Sequence, residues 1–361
     1  MVADGELAEE PAQAAADSRR SGFRRLRWVL GTALLALLIG EGVYLWPRLH
    51  ESWQKLTEIH WGWLVATIWL QAVSMSGFAR VQKQLLHAGG VAVSQRKSVA
   101  VVYGATAMSV TLPAGQVFST AFTYRQTRHW GARPIVASWQ LVFSGVVAAA
   151  GLALLGAGGT LLAGGQIGPL KLGVALGGII ALVLAGNYVS RHPGSLEKLL
   201  RALLTLLNRV RKRRADHGMS TIAEMLGQLE SVDLGKRDGV LVAAWALVHR
   251  GADVACLGAA CYAVGADPHV AGLLLAFAAG KAVGTIPFAP GGIVYVDATL
   301  IYGLTAAAGL PAAQAVAAAF VYRMVSFVLV AIAGWITFLF LFRTPQVDDA
   351  ALEKEFEQRR L

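Results

Sequence analysis

The sequence has little charge: 15% of its 361 residues are Asp, Glu, Lys or Arg, where soluble domains carry about a quarter. That scarcity excludes an ordinary water-soluble enzyme. Cysteine is nearly absent as well. Cys256 and Cys261, the two cysteines of the chain, share one apolar run, which argues against a disulfide framework and against a thiolate zinc site. Catalytic signatures are missing: there is no His-Glu-x-x-His and no Gly-x-Ser-x-Gly, and Gly280-Lys281-Ala282 lacks the spaced glycine and hydroxyl residue of a phosphate-binding loop. The polar stretches, two tails and residues 191–237, are too small for a conventional catalytic domain. The expectation is a protein that is not an enzyme, with no catalytic residue, no metal and no cofactor.

What the chain has in quantity is apolar sequence. Hydrophobic residues make up 55% and there are 40 glycines, with a mean hydropathy of +0.53. The net charge is +10, but the basic residues gather between apolar runs instead of forming one nucleic-acid-sized patch. A membrane surface, not nucleic acid, is the expected anionic partner. Arginine outnumbers lysine 23 to 9, and alanine is heavily used, the composition of a GC-rich bacterial genome.

Six stretches are long enough to cross about 30 Å of hydrocarbon at about 1.5 Å per residue: 28–46, 61–79, 134–157, 170–190, 238–264 and 312–342. Two more apolar regions, 98–124 and 270–309, are broken centrally by Leu112-Pro113-Ala114-Gly115 and by Pro287-Phe288-Ala289-Pro290-Gly291-Gly292. Each half, about 15 residues or roughly 22 Å as a helix, is short for a span and right for a helix that enters and returns. The fold class predicted is an all-α polytopic membrane protein, six transmembrane helices plus two re-entrant helical hairpins.

Lys and Arg collect in cytoplasmic loops, and their distribution orients the chain. The basic end of the 1–27 tail (Arg19, Arg20, Arg24, Arg25, Arg27) places the start inside as an uncleaved first span. Arg80, Lys83, Arg96 and Lys97 then fall inside, as do Arg125, Arg128 and Arg133, so region 98–124 enters and leaves on the cytoplasmic face. The stretch 191–214 is strongly basic and inside. Region 270–309 dips from outside, and span 312–342 returns the chain to Arg343 and a cytoplasmic tail, 344–361. The predicted location is the plasma membrane, multi-pass, with both termini cytoplasmic.

An offset of 177 residues lays Pro113 on Pro290, Gly115 on Gly292, Val117 on Val294, Ala121 on Ala298, Pro134 on Pro311 and Phe143 on Phe320. Within the membrane domain 28–343, units 61–157 and 238–342 would therefore be repeats. Three crossings separate the hairpins, so the units would be inverted, an arrangement that puts a transporter's site near the midplane beside broken helices.

Charges inside a membrane are functional candidates by default. They are His249, Arg250 and Asp253 in one span, Lys281 and Asp297 in the second hairpin, and Arg323 in the last span. Arg250 and Asp253, three apart on one helix face, could simply neutralise each other, and Asp297 and Arg323 could lock hairpin to span. Lys281, with no acid close in sequence, is expected to stand unpaired near the hairpin tip. The break Pro290-Gly291-Gly292 would leave backbone N–H groups at a positive helix end, an anion-binding geometry, though any re-entrant turn needs such residues. Residues 195–214 put Leu196, Leu199, Leu200, Leu203, Leu207 and Val210 on one face beside Arg209, Arg211, Lys212, Arg213 and Arg214. This reads as an interfacial helix attracted to anionic inner-leaflet lipids.

The run Pro290-Gly291-Gly292-Ile293-Val294-Tyr295-Val296-Asp297-Ala298, with Gly309-Leu310-Pro311-Ala312 and Tyr322-Arg323, resembles the second motif of the lysylphosphatidylglycerol synthase transmembrane-region family of flippase-like membrane proteins. Leu112-Pro113-Ala114-Gly115 followed by Tyr124-Arg125-Gln126 resembles its first. The resemblance covers roughly residues 28–343. Two positions depart from the family pattern: Asp297 stands where Glu is usual, and Val294 where Gly is usual. Bifunctional members carry a cytoplasmic aminoacyl-transfer domain after the membrane part; here 18 residues follow Arg343, so synthase activity is not implied. The resemblance implies movement of a lipid or lipid-linked molecule between leaflets.

The sequence thus favours a lipid translocator whose substrate-binding residues are Lys281, Pro290, Gly291, Gly292, Asp297, Arg323, Arg250, Asp253, Pro113, Gly115 and Arg125. The partner expected is a membrane phospholipid or lipid-linked substrate, and the sequence leaves the oligomeric state open. The alternatives are a membrane-embedded glycosyl or aminoacyl transferase with Asp297 or Asp253 as base, and a non-transporting envelope scaffold.

Overall fold

The computed structural model describes residues 58–112, 115–164, 235–284 and 294–341. The predicted spans 28–46 and 170–190, the breaks at Pro113 and at Pro290-Gly291-Gly292, the basic segment 195–214 and both tails lie outside these residues.

All regular structure among the described residues is helical: α1 (Trp61–Ala88), α2 (Gln95–Thr111), α3 (Gly115–His129), α4 (Pro134–Leu162), α5 (Lys236–Ala263), α6 (Val270–Gly284), α7 (Tyr295–Ala306), α8 (Ala312–Arg323), a π-helical turn (Met324–Leu329) and α9 (Val330–Leu341). Among the described residues four helices are long and apolar enough to cross a membrane: Trp61–Ala88, Pro134–Leu162, Arg237–Ala263 and Ala312–Phe340, the last running through the π turn. They coincide with four of the predicted spans.

Local sequence sets where these helices begin and end. Ser94 caps α2 by accepting the Lys97 N–H at 3.4 Å. Pro134 occupies the first turn of α4 and Pro311 caps α8, positions where a missing N–H costs nothing. These two prolines are 177 residues apart, and the elements keep that offset within a few residues: α1 with α5, α2 with α6, α3 with α7, and α4 with α8 to α9.

The two long helices α1 and α5 make the most extensive contact of the fold, and they run antiparallel. Near one end His60 N–H donates to Ala263 O at 2.8 Å. Further along, Cys256 Sγ donates to Thr67 O, Ser74 meets His249, and at the other end Gln84 Nε2 donates to Asp238 Oδ1. Close approach at the centre depends on a missing side chain, since a Cβ on Gly77 would lie 3.2 Å from His249 N.

The four shorter helices form two antiparallel pairs. In α6–α7 a small residue recurs every fourth position, at Gly272, Ala276, Gly280 and Gly284. A Cβ on Gly272 would strike Ala307 O, one on Gly280 would meet Leu300, one on Gly284 would touch Val296, and one on Gly303 would overlap Ala276. The ascending series against the descending one defines an antiparallel hairpin packed at backbone distance. In α2–α3, Gly104 faces Phe122 and Gly115 faces Met108 O and Ser109 O, and Ser109 Oγ donates to Gln116 Oε1 at 2.7 Å. The pairs exchange partners between halves: α2 packs on α9, and α6 packs on α4.

Candidate functional site

Where α1 and α5 cross, the apolar interior is interrupted. Residues Gln71, Ser74, Met75 and Phe78 form one face of α1, and His249, Arg250 and Asp253 face it from α5. Thr106 of α2, Phe277 and Lys281 of α6, Leu300 of α7, Tyr322 and Arg323 of α8, and Ser326 and Phe327 of the π turn close the remaining sides. The cavity they line is half-open and measures about 330 Å³. Both α1 and α5 are 28 residues long, and these polar residues fall at their mid-length.

Asp253 is the hub of the polar cluster. Its Oδ2 is 2.9 Å from Lys281 Nζ and 4.0 Å from Arg250 Nη1. Its Oδ1 accepts the Tyr322 hydroxyl at 3.4 Å. The expectation that Lys281 stands unpaired is therefore wrong. Sequence distance hid the partner, because 28 residues of chain bring the second half of α6 back beside the middle of α5. The Lys281 ammonium also lies 5.2 Å from the Phe277 ring centroid and 5.9 Å from that of Tyr322, where ring faces favour a cation.

Arg250 is consequently not simply neutralised by the acid one turn away. Lys281 holds that carboxylate more closely, and Arg250 Nη2 instead donates to the Ala148 carbonyl of α4 at 3.0 Å. Its Nε is buried with no hydrogen-bond partner. His249 Nδ1 lies 2.9 Å from both the hydroxyl and the carbonyl of Ser74.

Asp297 and Arg323 form the second pair, as one of the two sequence readings had it. Arg323 Nε is 2.7 Å from Asp297 Oδ1; the contact is an ion pair whose N–H direction falls short of a hydrogen bond. Both residues are buried. The guanidinium lies 4.5 Å from the Phe327 ring centroid, presented by the π turn that begins one residue later; such turns recur at functional sites. Asp297 also accepts the Val294 N–H at 3.4 Å, closing the N-terminus of α7. Val294 itself has φ +76°, a conformation that glycine adopts and a β-branched residue resists. A glycine here would take that conformation without strain.

The cluster therefore contains three cations, Arg250, Lys281 and Arg323, against two carboxylates, Asp253 and Asp297. The described residues of the first motif are not brought here. Gly115 is buried at the α2–α3 contact and Arg125 is on the exposed side of α3; neither lines the cavity. Pro113, Pro290, Gly291 and Gly292 lie outside the described residues. Sequence reasoning passed over Gln71, Ser74 and Thr106. The signal available was polar side chains one turn apart in an otherwise apolar span.

Among the described residues no group of His, Cys, Asp or Glu is arranged to hold a metal ion, and Cys256 and Cys261 are unbridged and buried. No curated protein matches the chain. The family model of the lysylphosphatidylglycerol synthase TM region matches residues 29–334, nearly the whole helical part. A match of that extent, together with four membrane-spanning helices, identifies a membrane-embedded protein, and the chain belongs to the lysylphosphatidylglycerol synthase transmembrane-region family.

Proposed function

We propose that this protein moves an anionic lipid or lipid-linked molecule between membrane leaflets, its headgroup entering the midplane cavity while the acyl chains stay in lipid. The observation that carries the proposal is the charge imbalance: among the described residues the buried polar cluster sets three cations against two carboxylates, and an anionic headgroup beside Arg250 supplies the charge that balances them. An uncompensated buried charge is costly, so the cluster favours the anion-bound state.

The proposal includes the membrane architecture. Corresponding helices of two repeats that run antiparallel, as α1 and α5 do, are what an inverted repeat requires. The pairs α2–α3 and α6–α7 then act as re-entrant hairpins opening to opposite faces, their helices of 17, 15, 15 and 12 residues being shorter than a span needs. Six crossings, the four described helices plus 28–46 and 170–190, keep both termini in the cytoplasm of a plasma-membrane protein. The basic segment 195–214 rests on anionic inner-leaflet lipid. Transfer chemistry is less favoured, because both candidate bases, Asp253 and Asp297, are buried and held by cations.

The test is reconstitution of the purified protein in vesicles containing acyl-labelled fluorescent phospholipids, with leaflet exchange scored by reduction of the outer-leaflet label. Exchange of an anionic lipid above protein-free vesicles, abolished by Arg250→Met and partly retained by Arg250→Lys, is the expected result. Equal exchange by the protein and its Arg250→Met variant would refute the role of the surplus charge.

A further inference from the structure

Two cavities meet at one imidazole. The larger is the site described above. The smaller lies between α1, α4 and α5, is lined by Val81, Ser144 and Ala246 among others, and shares Phe78, His249 and Arg250 with the larger. It measures about 10 Å³, room for about one water molecule, and an internal site of that size holds water where its lining is polar. Ser144, His249 and Arg250 supply that polarity. Ser144 Oγ accepts Gln140 Nε2–H at 3.1 Å, which leaves the hydroxyl hydrogen to donate elsewhere. The imidazole is held in one tautomer. Its Nδ1 is 2.9 Å from Ser74 O, and a carbonyl can only accept, so Nδ1 carries the hydrogen and Nε2 of the neutral ring keeps the lone pair.

We infer that His249 is a proton-binding site that couples movement of the anion to movement of a proton, with the small cavity as the proton's way in. This rests on the transport reading and adds its driving ion. A proton entering along the Ser144 hydroxyl and a water in the small cavity passes to His249 Nε2; hydroxyl and water are regenerated, and one positive charge moves onto the ring. The charged and titratable groups around the two cavities are Arg250 and Asp253 on the same helix, Lys281 from α6, and Tyr322 and Arg323 from α8. Among the described residues α1, α2 and α4 give these cavities uncharged polar groups: Gln71, Ser74, Thr106 and Ser144. Protonation of His249 adds a fourth cation to a cluster of three cations and two carboxylates, and an anion adds the opposite charge. Each therefore favours binding of the other, by the same factor in both directions. Loaded and released together, a monovalent anion and a proton cross with no net charge.

The test uses the full chain in phosphatidylcholine vesicles holding a trace of acyl-labelled phosphatidylglycerol, whose phosphodiester charge is constant near neutral pH. Potassium on both sides with valinomycin holds the voltage at zero, and a pH gradient is imposed in either direction. Label should accumulate in the leaflet facing the less acidic side, toward a ratio of about tenfold for a gradient of about one pH unit at one proton per lipid. Exchange that leaves the label evenly divided under the gradient overturns the coupling and lets transport stand. Absence of exchange at any pH overturns the transport reading itself. His249→Gln, whose amide can still donate to Ser74 O but takes up no proton, should exchange without accumulation; accumulation that persists in it overturns His249 as the proton site. Ser144→Thr and Ser144→Val give side chains of one shape that differ in the hydroxyl, and the threonine variant should approach its final ratio severalfold faster. Equal rates for the two overturn the small cavity as the route.

Discussion

Replacing Lys281 by Met removes the closest partner of a buried carboxylate, and the structure sets the size of the consequence. Lys281 Nζ is 2.9 Å from Asp253 Oδ2, and the Asp253 side chain is 3% exposed. Breaking a buried pair by deleting one member costs about 3–5 kcal/mol. Two features reduce that here: the lysine side chain is 36% exposed, toward the cavity, and Asp253 retains the Tyr322 hydroxyl at 3.4 Å and Arg250 at 4.0 Å. The expected loss is about 2–3 kcal/mol. At about 2 °C per kcal/mol for a chain of this size, Lys281→Met should lower the midpoint of thermal unfolding in detergent by roughly 5 °C. Adding Asp253→Asn removes the stranded charge while keeping an acceptor for Tyr322, and should restore most of the loss. A single variant as stable as the parent, or a double variant no better than the single, would refute the assignment of Asp253 as the hub.

Asp297 and Arg323 form the second pair, so either single neutralisation should destabilise by about 3 kcal/mol or more, whereas Asp297→Asn with Arg323→Met should recover much of that in the same thermal assay and still abolish leaflet exchange. Val294→Gly should raise the unfolding midpoint, since glycine relieves about 1 kcal/mol or more of strain at φ +76°. Gly272→Val should separate α6 from α7, because even a Cβ there would lie 2.0 Å from Ala307 O; loss of the monodisperse peak on size exclusion is the readout. Single cysteines at His129 and Asp267, in a background lacking Cys256 and Cys261, should react with an impermeant reagent from the inside and the outside respectively, and reaction of both from one side would contradict the inverted arrangement.

The helical architecture was legible because long apolar runs report spans directly and Pro-Gly breaks report interruptions. Residues 61–79 and 134–157 proved to be the apolar parts of longer helices, Trp61–Ala88 and Pro134–Leu162, since polar ends such as Gln82 to His87 continue a helix once they leave the hydrocarbon. The site was legible as a set of residue types but not as a set of partners. Asp297 with Arg323 could be paired because few alternatives existed; Lys281 with Asp253 could not, because nothing in the sequence says how α6 packs beside α5. The first motif is a different case. Its Gly115 serves backbone packing, where a Cβ would lie 2.3 Å from Met108 O, and a residue kept small for packing is indistinguishable in sequence from one kept small to admit a ligand.

The 177-residue offset gives that distinction a further consequence. On it, Arg250, Asp253, Lys281, Asp297 and Arg323 correspond to Val73, Ser76, Gly104, Thr120 and Val146, so the proposed repeats share helices while, among the described residues, one of them holds every charge of the cluster. Symmetry of backbone is what rocking one unit against the other requires, because each hairpin must be able to exchange its environment with its counterpart. Symmetry of charge is not required, and would be harmful: a second set of cations at the same midplane would raise the desolvation penalty without a second headgroup to offset it. On the proposed transport, the neutral Gln71 and Thr106 of the first unit leave the excess of Arg250, Lys281 and Arg323 over Asp253 and Asp297 at the level that one anion can balance.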